Sequence, residues 1–194
     1  MLDDIDEILI PAEGLAGRVR ELGQKISRDY EGKEPLLVAI LTGAVLFVSD
    51  LLRQISIPCH LDFMATSSYG DGTESTGVVR ILKDLNQPIE GRHVIIVDDI
   101  IDTGLTMDYL LETLKTRYPA SLRVCGLLDK ASRRRRFVPI DYRGFEIPDK
   151  FVVGYGLDFG ERYRNLPFIC VLKPEIYGSQ PFISQLQAAP SSVR

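Results

Sequence analysis

The chain has 194 residues, 45% of them apolar and 26% charged, with 27 acids against 23 bases for a net charge of −4. Those values suit one globular domain rather than two, and the acidic balance argues against a broad nucleic-acid surface. Three cysteines (Cys59, Cys125 and Cys170), widely spaced and without a CxxC pair, argue against a disulfide framework or a thiolate zinc site and point to a reducing cytoplasm.

The first seven residues, Met1-Leu-Asp-Asp-Ile-Asp-Glu, are acidic where a secretory signal would be basic. No apolar run approaches the roughly 20 residues needed to cross a bilayer, so no membrane contact is expected. Leu15, Val19, Leu22 and Ile26 recur at helical steps after Pro11, which predicts an amphipathic helix over residues 11–30. Short runs of strand length follow at 36–41, 60–64, 78–82, 94–97, 124–128, 151–153 and 168–172. Helical patterns lie between several of them, at 44–55 and at 105–118 before the breaker Pro119. This alternation predicts an α/β fold, with a mainly parallel central sheet flanked by helices.

Two stretches break the pattern. Residues 65–77 are polar and glycine-rich, which predicts a mobile loop between two strands. Residues 178–194, with Pro181, Pro190 and paired serines, read as a disordered tail behind a single domain of residues 1–177.

The chemistry concentrates in Val94-Ile-Ile-Val-Asp-Asp-Ile-Ile-Asp-Thr-Gly-Leu-Thr-Met107. Four branched apolar residues make a buried central strand, and Asp98 and Asp99 stand at its C-terminal end, where open α/β sheets place their ligands. Asp102, Thr103, Gly104 and Thr106 then lead into the helix that starts near Leu105. Unpaired N–H groups at a helix start attract anions, Gly104 allows close backbone approach, and two threonine hydroxyls add donors, so a phosphate monoester fits the turn. Two adjacent acids beside it can accept hydrogen bonds from the two hydroxyls of a ribose, or hold Mg²⁺ directly or through water. The expected ligand is therefore a ribose 5-phosphate. In isolation, Asp98 and Asp99 would read as the end of a strand and Asp102 as a helix cap.

The run Val97-Asp-Asp-Ile-Ile-Asp-Thr-Gly-Leu-Thr106 resembles the phosphoribosyl-pyrophosphate (PRPP) signature of the type I phosphoribosyltransferases, in the form found among those acting on hypoxanthine and guanine. The likeness extends from about Ile8 to Tyr177. It implies a Rossmann-like phosphoribosyltransferase fold with a small hood, and transfer of phosphoribose from PRPP to an oxopurine with release of pyrophosphate. It also implies Mg²⁺ as cofactor, with Asp98, Asp99 and Asp158 as its ligands, and a homodimer or homotetramer.

The resemblance assigns PRPP binding to Asp98, Asp99, Asp102, Thr103, Gly104, Leu105 and Thr106. Asp102 is the matching general base or acid at purine N7, a role that makes the ring a better nucleophile. Lys130 matches the donor to the purine 6-oxo group and, being donor only, would reject a 6-amino group. Phe151 matches the stacking aromatic, and Val152 the neighbour whose backbone meets the base edge. Asp158 completes the purine and metal region, and Arg164 matches a bidentate pyrophosphate ligand. Thr42 and Gly43 match the pyrophosphate loop, though many relatives carry Lys or Arg where Thr42 stands. Ser68 and Tyr69 match a pair in the lid that shields the reacting sugar from water.

The rest reads plainly. The run Arg133 to Arg136 suits a solvated or subunit-contact face, His60 and His93 lack ligand spacing, and the three cysteines read as small apolar residues of strands. Two alternatives stay open: preference for xanthine with guanine, and an RNA-binding regulator on the same fold, which the acidic balance disfavours.

Overall fold

A computed structural model describes residues 1–69 and 78–178. In chain order its elements are β1 (Ile5–Ile10), α1 (Ala12–Asp29), β2 (Leu36–Leu41), α2 (Val45–Gln54), β3 (His60–Tyr69) and β4 (Val78–Lys83). There follow β5 (His93–Ile101), α3 (Leu105–Lys115), β6 (Ser121–Asp129), β7 (Tyr142–Glu146), β8 (Val152–Val153), β9 (Ile169–Leu172) and α4 (Pro174–Gly178).

Strands apolar on both faces need cover on both, which only crossover helices supply. The six-stranded sheet runs β4-β3-β2-β5-β6-β7, all parallel except the edge strand β4, which pairs antiparallel with β3. Side chains alternate across this sheet. Leu37, Ala39, Ile95 and Val97 join the α1 and α2 stripes (Leu15, Val19, Leu22 and Ile26 from α1; Phe47, Val48 and Leu51 from α2) in one core. Leu36, Val38, Ile40, Val94 and Ile96 join Met107, Leu110, Leu111 and Leu114 of α3 in a second core on the opposite face. A separate three-stranded antiparallel sheet, β1-β9-β8, forms the hood, with its own cluster of Val153, Tyr163, Leu166, Cys170 and Leu172.

Several boundaries differ from the sequence reading. The central strand does not stop at Val97; its ladder with β6 continues from Asp98↔Gly126 to Ile101↔Asp129, so the acid pair lies inside the strand. The loop expected from residue 65 starts later, because residues 65–69 pair with β4; residues 70–77 lie outside the described residues. The third predicted helix ends at Lys115, in a tight turn where Tyr118 takes a φ of 54°. β1 and β7 were not foreseen, since Ile5-Asp-Glu-Ile-Leu-Ile10 and Tyr142-Arg-Gly-Phe-Glu146 carry charges that break an apolar run. Gly178 closes α4, and the remainder of the expected tail, 179–194, lies outside the described residues. Cys125 and Cys170 sit in strands as expected, Cys59 just ahead of one, and all three are free thiols. Among the described residues, no helix is long and apolar enough to cross a membrane.

The hood loop touches the sheet at a point with no room to spare. A Cβ on Gly156 would lie 2.1 Å from the Gly43 carbonyl oxygen, and Gly156 has a φ of +104°. The Tyr155 hydroxyl donates to Asp50 Oδ2 at 2.6 Å, which fastens this loop to α2. We expect Gly156→Ala to cost about 2–4 kcal/mol, from a backbone clash plus an unfavourable φ. Gly17→Ala, within α1 where a new Cβ meets nothing within 4 Å, should instead stabilise by roughly 0.5–1 kcal/mol. Urea unfolding of both variants checks the pair.

Candidate active site

The pleat of β5 sorts its two acids. Asp98 follows the parity of Val94 and Ile96 and turns toward α3, where it lines a cavity of about 200 Å³ with Thr66, Asp102, Thr103, Gly104 and Thr106. Asp99 follows Ile95 and Val97 and turns toward the loop before α2, where its Oδ2 would lie 1.7 Å from a Cβ on Gly43. No side chain fits at position 43 unless Asp99 moves. The Leu41–Thr42 peptide preceding this glycine is cis, and Thr42 itself is exposed.

Both carboxyls are perturbed upward. Burial raises Asp98 well above the ordinary carboxylate range, and the Asp99 charge raises it further. Burial also raises Asp99, against hydrogen bonds from Asp98 and the Ile100 N–H and the nearby positive charge of Arg164. A buried like-charged pair of this kind is costly without a cation.

The turn expected to hold a phosphate is built by residues that follow the strand. Gly104 caps α3 with a φ of 82°, which a side chain rarely adopts, and a Cβ there would meet the Arg136 carbonyl at 2.5 Å. The first N–H groups of α3 have no acceptor within their own helix, apart from a long 3.4 Å contact of the Leu105 N–H with Thr103 Oγ1, so they face the cavity as donors.

The arginine run divides: the Arg135 and Arg136 side chains are exposed, as the reading of a solvated face expects, while Arg133 and Arg134 are half-buried against this site. The N–H groups of Arg135 and Arg136 donate to the Thr103 carbonyl at 2.8 and 3.1 Å. The Arg134 guanidinium donates to the Ile101 carbonyl at 3.2 Å and pairs with the buried Asp129. Arg133 Nε lies 3.3 Å from Asp102 Oδ1. Four like charges on an exposed loop look solvated in sequence; the contacts that enlist them are backbone bonds to Thr103 and ion pairs with Asp102 and Asp129, which no local pattern reveals.

A second opening, about 410 Å³, lies on the hood side and is lined by Lys130, Arg133, Asp149, Lys150 and Phe151 among others. Lys130 is buried, its backbone N–H held by the Ile101 carbonyl at 3.0 Å. Burial pulls its ammonium below the usual lysine value, and the charges of Asp102 and Asp149 oppose that shift. Phe151 is 45% exposed and meets Phe159 edge to face at 5.6 Å, while Val152 is buried in the hood sheet.

Asp158 and Arg164 form a pair of their own. Arg164 reaches Asp158 Oδ1 at 2.8 Å and donates to the Gly156 carbonyl at 2.8 Å, while Asp158 Oδ2 accepts the Glu161 N–H at 2.9 Å. With both its oxygens engaged, Asp158 does not join Asp98 and Asp99, and among the described residues no three acids, histidines or cysteines converge as a metal cage. The expected three-acid metal group is therefore not assembled. Ser68 and Tyr69 end β3, beside the expected lid segment, 70–77, that lies outside the described residues.

A parallel sheet with an acid pair inside its central strand, a phosphate turn after it and a small hood above define the type I phosphoribosyltransferase class. The family model for the phosphoribosyl transferase domain matches residues 6–160, and the chain belongs to that family. It is 48% identical over 179 residues to the hypoxanthine-guanine phosphoribosyltransferase of Bacillus subtilis, covering 92% of this chain and 99% of the relative. It is 50% identical over 177 residues, or 91% of its length, to the bifunctional protein TilS/HprT of Listeria innocua, of which it spans only 27%. A crystal structure of a hypoxanthine phosphoribosyltransferase from Staphylococcus aureus superposes with a TM-score of 0.88 at 47% identity, covering 91% of this chain and 96% of that one.

The raised carboxyls set a test. A carboxyl raised above its unfolded value favours the folded state most at low pH, and that contribution is lost as pH rises through its folded pKa. Asp98→Asn should therefore raise the melting temperature of the ligand-free protein by about 2–4 °C at pH 8. The gain should shrink as the pH is lowered toward 5, as thermal melts across that range would record.

Proposed function

We propose that the chain transfers the 5-phosphoribosyl group of PRPP to hypoxanthine or guanine, giving IMP or GMP and pyrophosphate. The observation that carries this reading is Asp102: its Oδ1 is buried and has no hydrogen-bond partner among the described residues. A buried orphan acceptor is costly unless a ligand satisfies it. It sits between the phosphate turn and the Lys130 opening, where a purine N7–H would meet it.

In this mechanism the turn from Asp102 to Thr106 holds the 5-phosphate through helix-start N–H groups and hydroxyls, and Asp98 and Asp99 accept hydrogen bonds from the ribose. Phe151 stacks on the base, the Val152 backbone meets its edge, and Lys130 donates to the 6-oxo group. Asp102 takes or shares the N7 proton as N9 attacks the anomeric carbon, which raises the nucleophilicity of the ring as the carbon–oxygen bond to pyrophosphate breaks. Arg164 and the Thr42-Gly43 turn receive the pyrophosphate; Arg164 exchanges its bond to Asp158 for phosphate oxygens. Closure of Ser68 and Tyr69 over the site excludes water from the electron-poor sugar.

Mg²⁺ fits this site as an ion shared with the substrate. The donors are hard carboxylate oxygens, the Asp98–Asp99 pair needs a counter-charge, and Mg²⁺ is commonly held by one or two carboxylates plus phosphate oxygens. When bound, it supplies positive charge to the leaving pyrophosphate. The same reading places activity in residues 1–177 as one domain, within a cytoplasmic homodimer or homotetramer that binds neither nucleic acid nor membrane.

The test is turnover with PRPP and Mg²⁺ and each of hypoxanthine, guanine, xanthine and adenine. We expect nucleotide and pyrophosphate with the first two and none with adenine; no turnover with any oxopurine refutes the reading, and xanthine as best substrate transfers it to the xanthine-guanine class. Asp102→Asn should lower kcat by about 100-fold or more while changing the Kd for PRPP by less than about threefold, as single-turnover kinetics and calorimetry would show.

A further inference from the structure

We propose that Arg133 is a positioning residue for the proton transfer assigned to Asp102. This inference rests on the reading above and deepens it. Arg133 closes a 3₁₀ turn directly after Lys130, and its N–H is held by the Lys130 carbonyl at 3.0 Å. Its guanidinium bridges two acids: Nε lies 3.3 Å from Asp102 Oδ1, and Nη1 lies 3.7 Å from Asp149 Oδ1. The same Asp149 oxygen lies 3.8 Å from Lys130 Nζ. Asp102, Arg133, Asp149 and Lys130 thus form one alternating chain of charges that joins the proton acceptor to the donor for the 6-oxo group.

The chemistry of the link suits its place. A guanidinium stays protonated at any working pH, so it supplies Asp102 with a permanent counter-charge and never competes for the purine proton. Its contact with Oδ1 is coulombic and lacks hydrogen-bond alignment, which leaves the hydrogen-bonding capacity of that buried oxygen unfilled. Arg133 is 36% exposed in its side chain, and ion pairs at such exposure contribute little to folding. Its effect therefore falls on the chemical step rather than on stability.

Arg133→Met keeps the stem and removes the charge, and Arg133→Lys restores a charge without the fork. With hypoxanthine, PRPP and Mg²⁺, we expect Arg133→Met to lower kcat about tenfold, with the KM for PRPP unchanged within about twofold. We expect Arg133→Lys to recover at least about a third of the lost rate, and both variants to melt within about 2 °C of the parent. Parent turnover with Arg133→Met matching it overturns this inference alone, as does a PRPP KM that rises in step with the fall in kcat. No turnover by the parent chain overturns the reading of function and this inference with it.

Discussion

Two carboxylates on consecutive residues near the end of a buried strand are the constraint around which the rest is arranged. Asp98 and Asp99 follow four apolar residues of β5 into the sheet's C-terminal edge, where burial raises both carboxyls and the Asp99 charge raises Asp98 further. Nearly every special feature nearby answers that arrangement. Gly43 has no side chain because Asp99 occupies the space, and Gly156 has none because the Gly43 carbonyl lies against it. Arg164, bonded to the Gly156 carbonyl, brings a positive charge near Asp99. One acid's position thus propagates through two glycines to the hood.

Pleat alternation then divides the labour. Because successive residues of a strand face opposite sides, Asp98 looks into the phosphate cavity under α3 while Asp99 looks toward the turn before α2. A single dipeptide thereby reaches the two regions that the proposed mechanism separates, the 5-phosphate with its ribose and the pyrophosphate. The proposed mechanism puts the third region, for the base, on the hood side, where Lys130, Asp149 and Phe151 line one opening. Asp102 lines the first cavity and lies beside Arg133, which lines the second opening.

Much of this was legible in the residues themselves. The parallel sheet followed from apolar runs alternating with helical stripes, and the stripe Leu15, Val19, Leu22 and Ile26 faces the core as its spacing requires. The turn from Asp102 to Thr106 was readable because glycine, hydroxyls and acids at a strand-to-helix junction have a local chemical meaning. The misses share a cause, which is dependence on partners that no local pattern pairs. β1 and β7 carry charged residues and become strands through pairing, with β9 and with β6. Arg133 to Arg136 looked like a solvated run because their partners, Asp102, Thr103, Asp108 and Asp129, belong to two other segments.

The central claim is that an acidic centre in a chain of net charge −4 binds a polyanion only when a cation accompanies it. Titration of PRPP into the full chain by calorimetry, with Mg²⁺ and then with excess chelator, tests it most directly. Affinity is expected to fall by more than about tenfold when the metal is removed, since helix-start N–H groups and Arg164 alone cannot offset the Asp98–Asp99 pair. Equal affinity in the two titrations would contradict it.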